Sequence, residues 1–418
     1  MGTIFISSCI LLLATQSCAY ASRQVPLRQA ETIQVGQELG WETLPLSSSK
    51  DLPFKLHELE PVPLAVNGDP DNRVDLVYFG DGLRIANLVS GSVQDTTSER
   101  DKFLHDAQSL TDTLLSPGGA FAPVRDLLNF WAVFIPSEES GIGTHGVPKN
   151  TTFGLYRPGE ELRAVFYAYP ERVAAACEAL NSQRSNLQDG VRKAKAKHGC
   201  DEPILLANDG FYGGLGGTPT VITASPKNGV QVLRHEIGHT LIPVGEEYDG
   251  GYAYFGVNAA ELQTNTSPQT VPWKHWLSDV EARGTGRVRL ENSRVAVQAY
   301  PWFDLSNSSF TINFESGKGE YPTALLRFSI SGIPDENHLD VSLDDQRVNF
   351  TLSKDHRGSL DRTWVQIPLT EGLTSSTDKS GLRQLANHTL EFTARVASSA
   401  TRPMLSSVEV IEYGTEDK

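Results

Sequence analysis

The sequence predicts an α/β layer domain followed by an all-β sandwich, and a change of apolar period near residue 287 separates the two. Before it, short apolar runs that read as buried strands alternate with amphipathic helices; after it, the period falls to two. The first run is Val74-Asp75-Leu76-Val77-Tyr78-Phe79, closed by the turn Gly80-Asp81-Gly82. A helix follows, with Ser98 and Asp101 in capping-box spacing and Phe103, Ala107, Leu110 and Leu114 on one face. Strands are expected over residues 130–135 and 162–167, then a second helix marked by Val173, Cys177, Leu180, Leu187 and Val191, then strands over 203–207 and 220–224. Alternation of this kind layers helices on a sheet. Beyond Arg287, residues 295–297, 310–314, 325–330, 348–352, 364–367, 390–396 and 408–413 alternate apolar with polar side chains between turn-rich stretches, the pattern of a jelly-roll-like sandwich. Within 348–352 the apolar residues share one face, and Asn349 and Thr351 take the other.

A chain of 418 residues exceeds one ordinary core. We read residues 1–21 as a signal peptide, from the apolar run over 4–14 and the small-x-small sequence Ala19-Tyr20-Ala21. Residues 22–68 contain Pro and Ser without a long periodic run, and read as a propeptide, a small β appendage or an extended arm. The α/β domain is placed at 69–286 and the sandwich at 287–418. Export makes the environment extracellular and permissive for disulfides, so Cys177 and Cys200, the cysteines left after the signal, are expected to pair. Five Asn-x-Ser/Thr sequons, at Asn150, Asn265, Asn307, Asn349 and Asn387, fit a glycosylated secretory protein. No second apolar run reaches spanning length, so no membrane anchor is expected. A net charge of −15 excludes nucleic acid and anionic membrane as natural partners, because both need clustered cations. A monomer is expected.

The chemistry is concentrated in His235-Glu236-Ile237-Gly238-His239. Val230, Leu233, Ile237 and Leu241 repeat at helical spacing through it. Two histidines four residues apart then project about 40° apart from one helix face and can share one ion. Neutral imidazoles suit Zn²⁺, and Glu236, one residue round the helix, is placed to take the proton of a zinc-activated water as general base. Pro243 cannot continue the helix and Gly245 permits a sharp reversal, which returns Glu246 and Glu247 toward the histidines. Glu246 is taken as the third ligand, with Glu247 as its alternative; Glu261, Glu281 and His275 lie farther along. Tyr248 is a candidate partner for the oxyanion. The standard metzincin spacing and its methionine turn are both absent, since Ile242 and Gly245 occupy the positions of the Gly and the distal ligand and Met404 lies in the β region. Upstream, Tyr212-Gly213-Gly214-Leu215-Gly216-Gly217 is either a flexible hairpin loop or a place where an extended substrate strand can approach, with Tyr212, Gly213 and Gly214 as the substrate-binding candidates.

The blocks Val74 to Gly82, Phe130 to Gly141, Asn208 to Gly217 and His235 to Tyr248 together resemble the zinc metallopeptidases typified by IgA-specific bacterial peptidases. The resemblance covers about residues 70–280 in order, and its most specific part is the last block with its Glu-Glu-Tyr ending, which strengthens a ligand in that turn. It implies a zincin-like catalytic domain, one catalytic zinc ion and a protein or peptide substrate. A second reading from another class is a peptidase fold without activity, whose function is carbohydrate or protein recognition by the C-terminal sandwich. Trp302 and Trp364 keep sugar binding open there, with core packing as the default role for each indole.

Overall fold

The computed structural model describes residues 52–84, 99–186, 199–242, 244–245, 292–316, 321, 323–369, 373, 386–395 and 402–414. The chain divides into two compact units, Met1–Val288 and Arg289–Lys418. The signal segment, Leu187, Val191, Glu246, Glu247, Tyr248, Glu261, Asn265, His275 and Glu281 lie outside the described residues.

In the first unit the strands are β1 (Pro61–Val66), β2 (Val74–Asp81), β3 (Leu128–Val133), β4 (Leu155–Tyr156), β5 (Phe166–Tyr167), β6 (Glu202–Ala207), β7 (Gly214–Leu215) and β8 (Thr220–Thr223). Among the described residues its α-helices are α1 (Glu99–Leu114), α2 (Pro170–Asn186) and α3 (Gly229–Leu241). Six strands form one sheet in the order β1-β3-β2-β6-β8-β7, while β4 and β5 make a separate pair. The four inner strands run parallel, and β1 and β7 run antiparallel to their neighbours at the two edges. Inner parallel strands are covered on both faces, which is why β2 reads as a continuous apolar run rather than an alternating one. Leu76 and Tyr78 pack with Phe103, Ala107 and Leu110 of α1 and Leu233 and Ile237 of α3. Val77 and Phe79 point the other way, into Val173, Ala176 and Leu180 of α2.

Two buried carboxylates organise this layer. Asp75 accepts hydrogen bonds from Asn129 Nδ2 at 2.8 Å and Trp131 Nε1 at 3.0 Å, which ties β2 to β3. Asp81, at the end of β2, accepts from Thr151 Oγ1 at 2.7 Å, Phe153 N–H at 2.7 Å and Leu155 N–H at 2.9 Å. Burial pushes the Asp81 carboxyl above its ordinary range, and these donors pull against that shift. Cys177 of α2 is bonded to Cys200, with the Cα atoms 5.3 Å apart. Asn181 reinforces that tie, accepting from Cys200 N–H at 3.0 Å and donating to its carbonyl at 3.1 Å.

Residues 54–67 are built into this unit. Leu59 is buried in the core that holds Val77, Phe79 and Leu180, Phe54 and Leu56 pack against it, and β1 pairs with β3. The Asn67 side chain donates to the carbonyls of Arg125 and Leu128. The strand expected over 162–167 is shorter: Arg163 N–H turns back to Glu161 O at 2.9 Å, so the chain bends there and only β5 remains paired as a strand.

Among its described residues the second unit is built of strands, with one 3-10 turn at Glu336–His338. One sheet contains β9 (Asn292–Ala299), β10 (Phe303–Asp304), β12 (Thr323–Ser331), β15 (Thr363–Leu369) and β17 (Met404–Gly414), with β17 and β12 at its centre. The other contains β11 (Phe310–Glu315), β13 (Leu339–Leu343), β14 (Gln346–Arg347) and β16 (Asn387–Ala394), in the order β11-β16-β13-β14. The inward residues of both sheets share one core, in which Leu326, Phe328, Val365 and Val410 meet Phe314, Val341, Leu390 and Phe392. Residues 348–352 are not a strand. Asp344 and Asp345, with φ of 50° and 60°, turn the chain after β13, and the returning β14 pairs over two residues before peeling away. Leu352 is nonetheless buried and Asn349 and Thr351 exposed, because in/out alternation needs an extended chain but not a ladder partner.

Candidate metal centre

The metal helix exists because one of its faces is buried. Val232, Leu233 and Ile237 enter the core shared with α1, and Gly229 lets its first turn come close: a Cβ there would lie 3.2 Å from both Leu110 Cδ2 and Thr223 O. The helix stops at Ile242, whose backbone is extended at φ −139° and ψ 138° before Pro243. With the apolar face turned inward, His235 is exposed and Glu236 and His239 are half-buried on the outer side.

The ligand atoms of His235, Glu236 and His239 all lie within 4.8 Å of one another. The two Nε2 atoms are 3.2 Å apart, with the rings at 89°. Two Zn–N bonds of about 2.05 Å at the tetrahedral angle would separate their nitrogens by about 3.3 Å, so the pair has the spacing of one edge of a zinc tetrahedron. Val244 O lies 3.1 Å from His239 Nδ1. A carbonyl can only accept, so the proton sits on Nδ1 and the Nε2 lone pair faces the shared point, as a metal-ligating histidine requires. The donor set therefore fits a zinc ion. Just beyond the helix, Val244 O contacts His239 and Gly245 is buried, while Glu246 and Glu247 lie outside the described residues.

The edge of the sheet closes over the carboxylate. A Cβ on Gly214 would meet Val232 Cγ1 at 2.4 Å and Glu236 Oε1 at 3.1 Å, and a Cβ on Gly216 would meet Glu236 Oε2 at 2.9 Å and His239 Cβ at 3.4 Å. Only glycine allows this approach at both positions. The strand is held to the helix by Gly217 O, which accepts from Thr240 Oγ1 at 3.0 Å and Thr220 Oγ1 at 3.2 Å. On its other side the strand is backed by Arg157, which pairs with Asp209 at 2.9 Å in a mostly buried ion pair. Gly214 N–H donates to Arg163 O at 3.3 Å and its carbonyl accepts from Val165 N–H at 3.4 Å, while Gly213 lies against Val165 and Arg157. Tyr212 packs on the core beneath α3. Of the sequence candidates, the structure brings His235, Glu236 and His239 together with Gly214 beside Glu236, while Tyr212 packs on the core and Gly213 lies against Val165 and Arg157. Gly216, Thr240 and Val244 were not singled out as site residues. The glycine run marked the first, and no local pattern marks the other two.

The sequence model of a peptidase family described as IgA peptidase M64 matches residues 62–285, more than half of the chain. The chain belongs to the IgA peptidase M64 family. The M64 match opens within β1 and ends before β9, so it includes the edge strand, the glycine run and the whole metal helix. The family is described as one of peptidases, and the His-Glu-His group is placed to hold a metal. No relative is found among curated proteins. Matches among solved structures include BuGH86wt in complex with neoagarooctaose, 14% identical over 30% of this chain and 19% of that one, at a TM-score of 0.19. Another is the ANX2 ectodomain from Arabidopsis thaliana, 11% identical over 27% of this chain and 30% of that one, at 0.18. This M64 chain spans less than a third of either, and at such scores neither likeness carries an argument.

Proposed function

We propose that this M64 protein is a secreted zinc endopeptidase with a zincin-like catalytic domain that lacks a methionine turn, followed by a jelly-roll-like sandwich. The observation that carries the reading is the convergence of His235 Nε2 and His239 Nε2 at 3.2 Å beside a carboxylate enclosed by the sheet edge. His235, His239 and a carboxylate from the turn, Glu246 or alternatively Glu247, would hold the ion. When bound, zinc supplies Lewis acidity, which acidifies water and polarises a peptide carbonyl. Glu236 accepts the water's proton on a carboxylate oxygen and passes it to the leaving amine nitrogen. The enclosure by Gly214 and Gly216 restricts the carboxylate to the side facing the histidines, so the base is oriented before substrate arrives.

The substrate's main chain would run along β7. Gly213 O is turned inward to Thr223 N–H, and Gly214 outward to residues 163–165, so the next outward groups in the alternation belong to Gly216. Tyr212, Gly213 and Gly214 shape that edge, and Tyr248 would face the developing oxyanion. Export through the signal at 1–21 is part of the reading. Glycosylation is supported by exposure of Asn150, Asn307, Asn349 and Asn387, with Asn265 as a further acceptor. The test is Glu236→Gln: zinc content is retained and cleavage of unfolded casein is lost. Wild-type turnover in that variant would overturn the assignment.

A further inference from the structure

The five-stranded sheet of the second unit has an outer face that its core does not explain. Along β15, Val365 and Ile367 point inward, which turns Trp364 and Gln366 outward, and Trp364 is 47% exposed. A single exposed apolar side chain needs no explanation. This one is part of an assembly. The Arg362 guanidinium lies 5.1 Å from the Trp302 ring centre and 5.5 Å from that of Trp364, and Arg327 lies 5.7 Å from Trp364 as well. Arg362 is itself buried and donates from Nε to Ser329 Oγ at 2.6 Å. Trp302 adopts φ 46°, a left-handed conformation that an aromatic residue takes only at a cost. Two indoles therefore share one cation, at a backbone cost, and the Trp364 ring is braced rather than loose.

The neighbouring positions are polar. Strand register places Gln366 beside Arg327, Arg327 beside Glu409 and Glu409 beside Gln298, in one line across β15, β12, β17 and β9. Arg327 pairs with Glu409 at 3.1 Å, and Gln298 donates to the same carboxylate at 3.1 Å. Arg327 and Glu409 neutralise one another, and the Arg362 guanidinium is buried and bonded to Ser329, so among the described residues of this row no exposed cation is left over for a phosphate or a polyanion. It offers one flat apolar ring and a row of planar donors and acceptors, which is complementary to a ligand with an apolar C–H face and a rim of hydroxyls.

We propose that this face, centred on Trp364 with Gln366, Arg327 and Glu409, binds a neutral saccharide chain, one pyranose ring stacking on the indole and its hydroxyls bonding along the polar row. Of the exposed sequons in this unit, Asn387 opens β16 and Asn349 follows β14, both strands of the other sheet. The site does not depend on hydrolysis, and it would hold a peptidase against glycosylated protein or a polysaccharide matrix.

The test is affinity electrophoresis of the full chain through native gels containing galactan, xylan, β-glucan or galactomannan, with polygalacturonate and heparin as anionic controls. At least one neutral polysaccharide is expected to retard the wild type. Trp364→Ala should weaken that retardation about tenfold, Trp364→Tyr should restore most of it, and casein cleavage should be the same in all three. Circular dichroism and the thermal midpoint report whether the second unit remains folded in each variant. No retardation in any neutral gel, retardation confined to the anionic gels, or equal retardation of folded Trp364→Ala would each overturn the proposal.

Discussion

Substituting Gly216 by Ala separates the position of the general base from the stability of the fold. The added methyl would lie 2.9 Å from Glu236 Oε2, where the shortest ordinary carbon–oxygen contact is about 3.4 Å, so one of the two must retreat by about 0.5 Å. Gly216 is not among the residues with positive φ, so its backbone accepts a side chain. The yielding partner is the end of a flexible carboxylate, and the contacts to His239 at 3.4 and 3.5 Å are ordinary ones. Stability should therefore change by no more than about 1 kcal/mol, because the alanine also reduces the freedom of the unfolded chain by a comparable amount. A misplacement of about 1 Å in a catalytic group costs on the order of a hundredfold in rate, so half of that should lower kcat about tenfold. Because Glu236 acts on the transition state, KM should change little. A fluorogenic peptide assay gives kcat and KM, and urea unfolding gives the stability. An unchanged kcat would refute the idea that the sheet edge sets the carboxylate's position.

Other consequences concern the frame and the ligands. Replacing Cys177 and Cys200 together by Ser opens a loop spanning a sequence separation of 23, and unfolded-state entropy puts the loss at about 3 kcal/mol in denaturant titrations. A loss below about 1 kcal/mol would mean that the Asn181 bonds alone hold α2 to β6. Glu246→Ala should lose zinc on dialysis against a mild chelator while Glu247→Ala keeps most of it. The opposite pattern transfers the ligand role to Glu247, and full retention in both and in the double variant removes that turn from the site.

Legibility in the sequence followed locality. The metal helix could be read directly, because the apolar repeat of Val230, Leu233, Ile237 and Leu241 and the His-Glu-His spacing lie within one element. The inner strands β2, β3, β6 and β8 were readable from apolar runs whose burial on both faces leaves no alternation. Residues 348–352 misled because their alternation reports exposure, which is a property of one extended chain, whereas a strand needs a partner. The hairpin of β13 and β14 was missed although Leu339, Val341 and Leu343 alternate ahead of Asp344-Asp345. The glycine run was visible, but its division of labour was not: Gly213 and Gly214 are close to residues 163–165, and Gly216 is close to Glu236, across separations no local pattern encodes. The same holds for Thr240 and Val244, which act through hydrogen bonds to Gly217 and His239. Trp364 departs from the default of core packing because Val365 and Ile367 alternate with it along β15 and take the inward face, which leaves the indole on the outer one.

The central claim, that His235 and His239 hold one zinc ion on which peptide hydrolysis depends, is tested most directly by measuring metal and activity on the same purified samples. Inductively coupled plasma mass spectrometry of the wild type should find about one zinc per chain and no other metal in that proportion. A strong chelator should remove the ion and abolish casein cleavage, readdition of zinc should restore both, and His235→Ala and His239→Ala should fail to regain either. Casein cleavage that persists in a metal-free sample, or full zinc binding in the His235→Ala, His239→Ala double variant, would contradict the account.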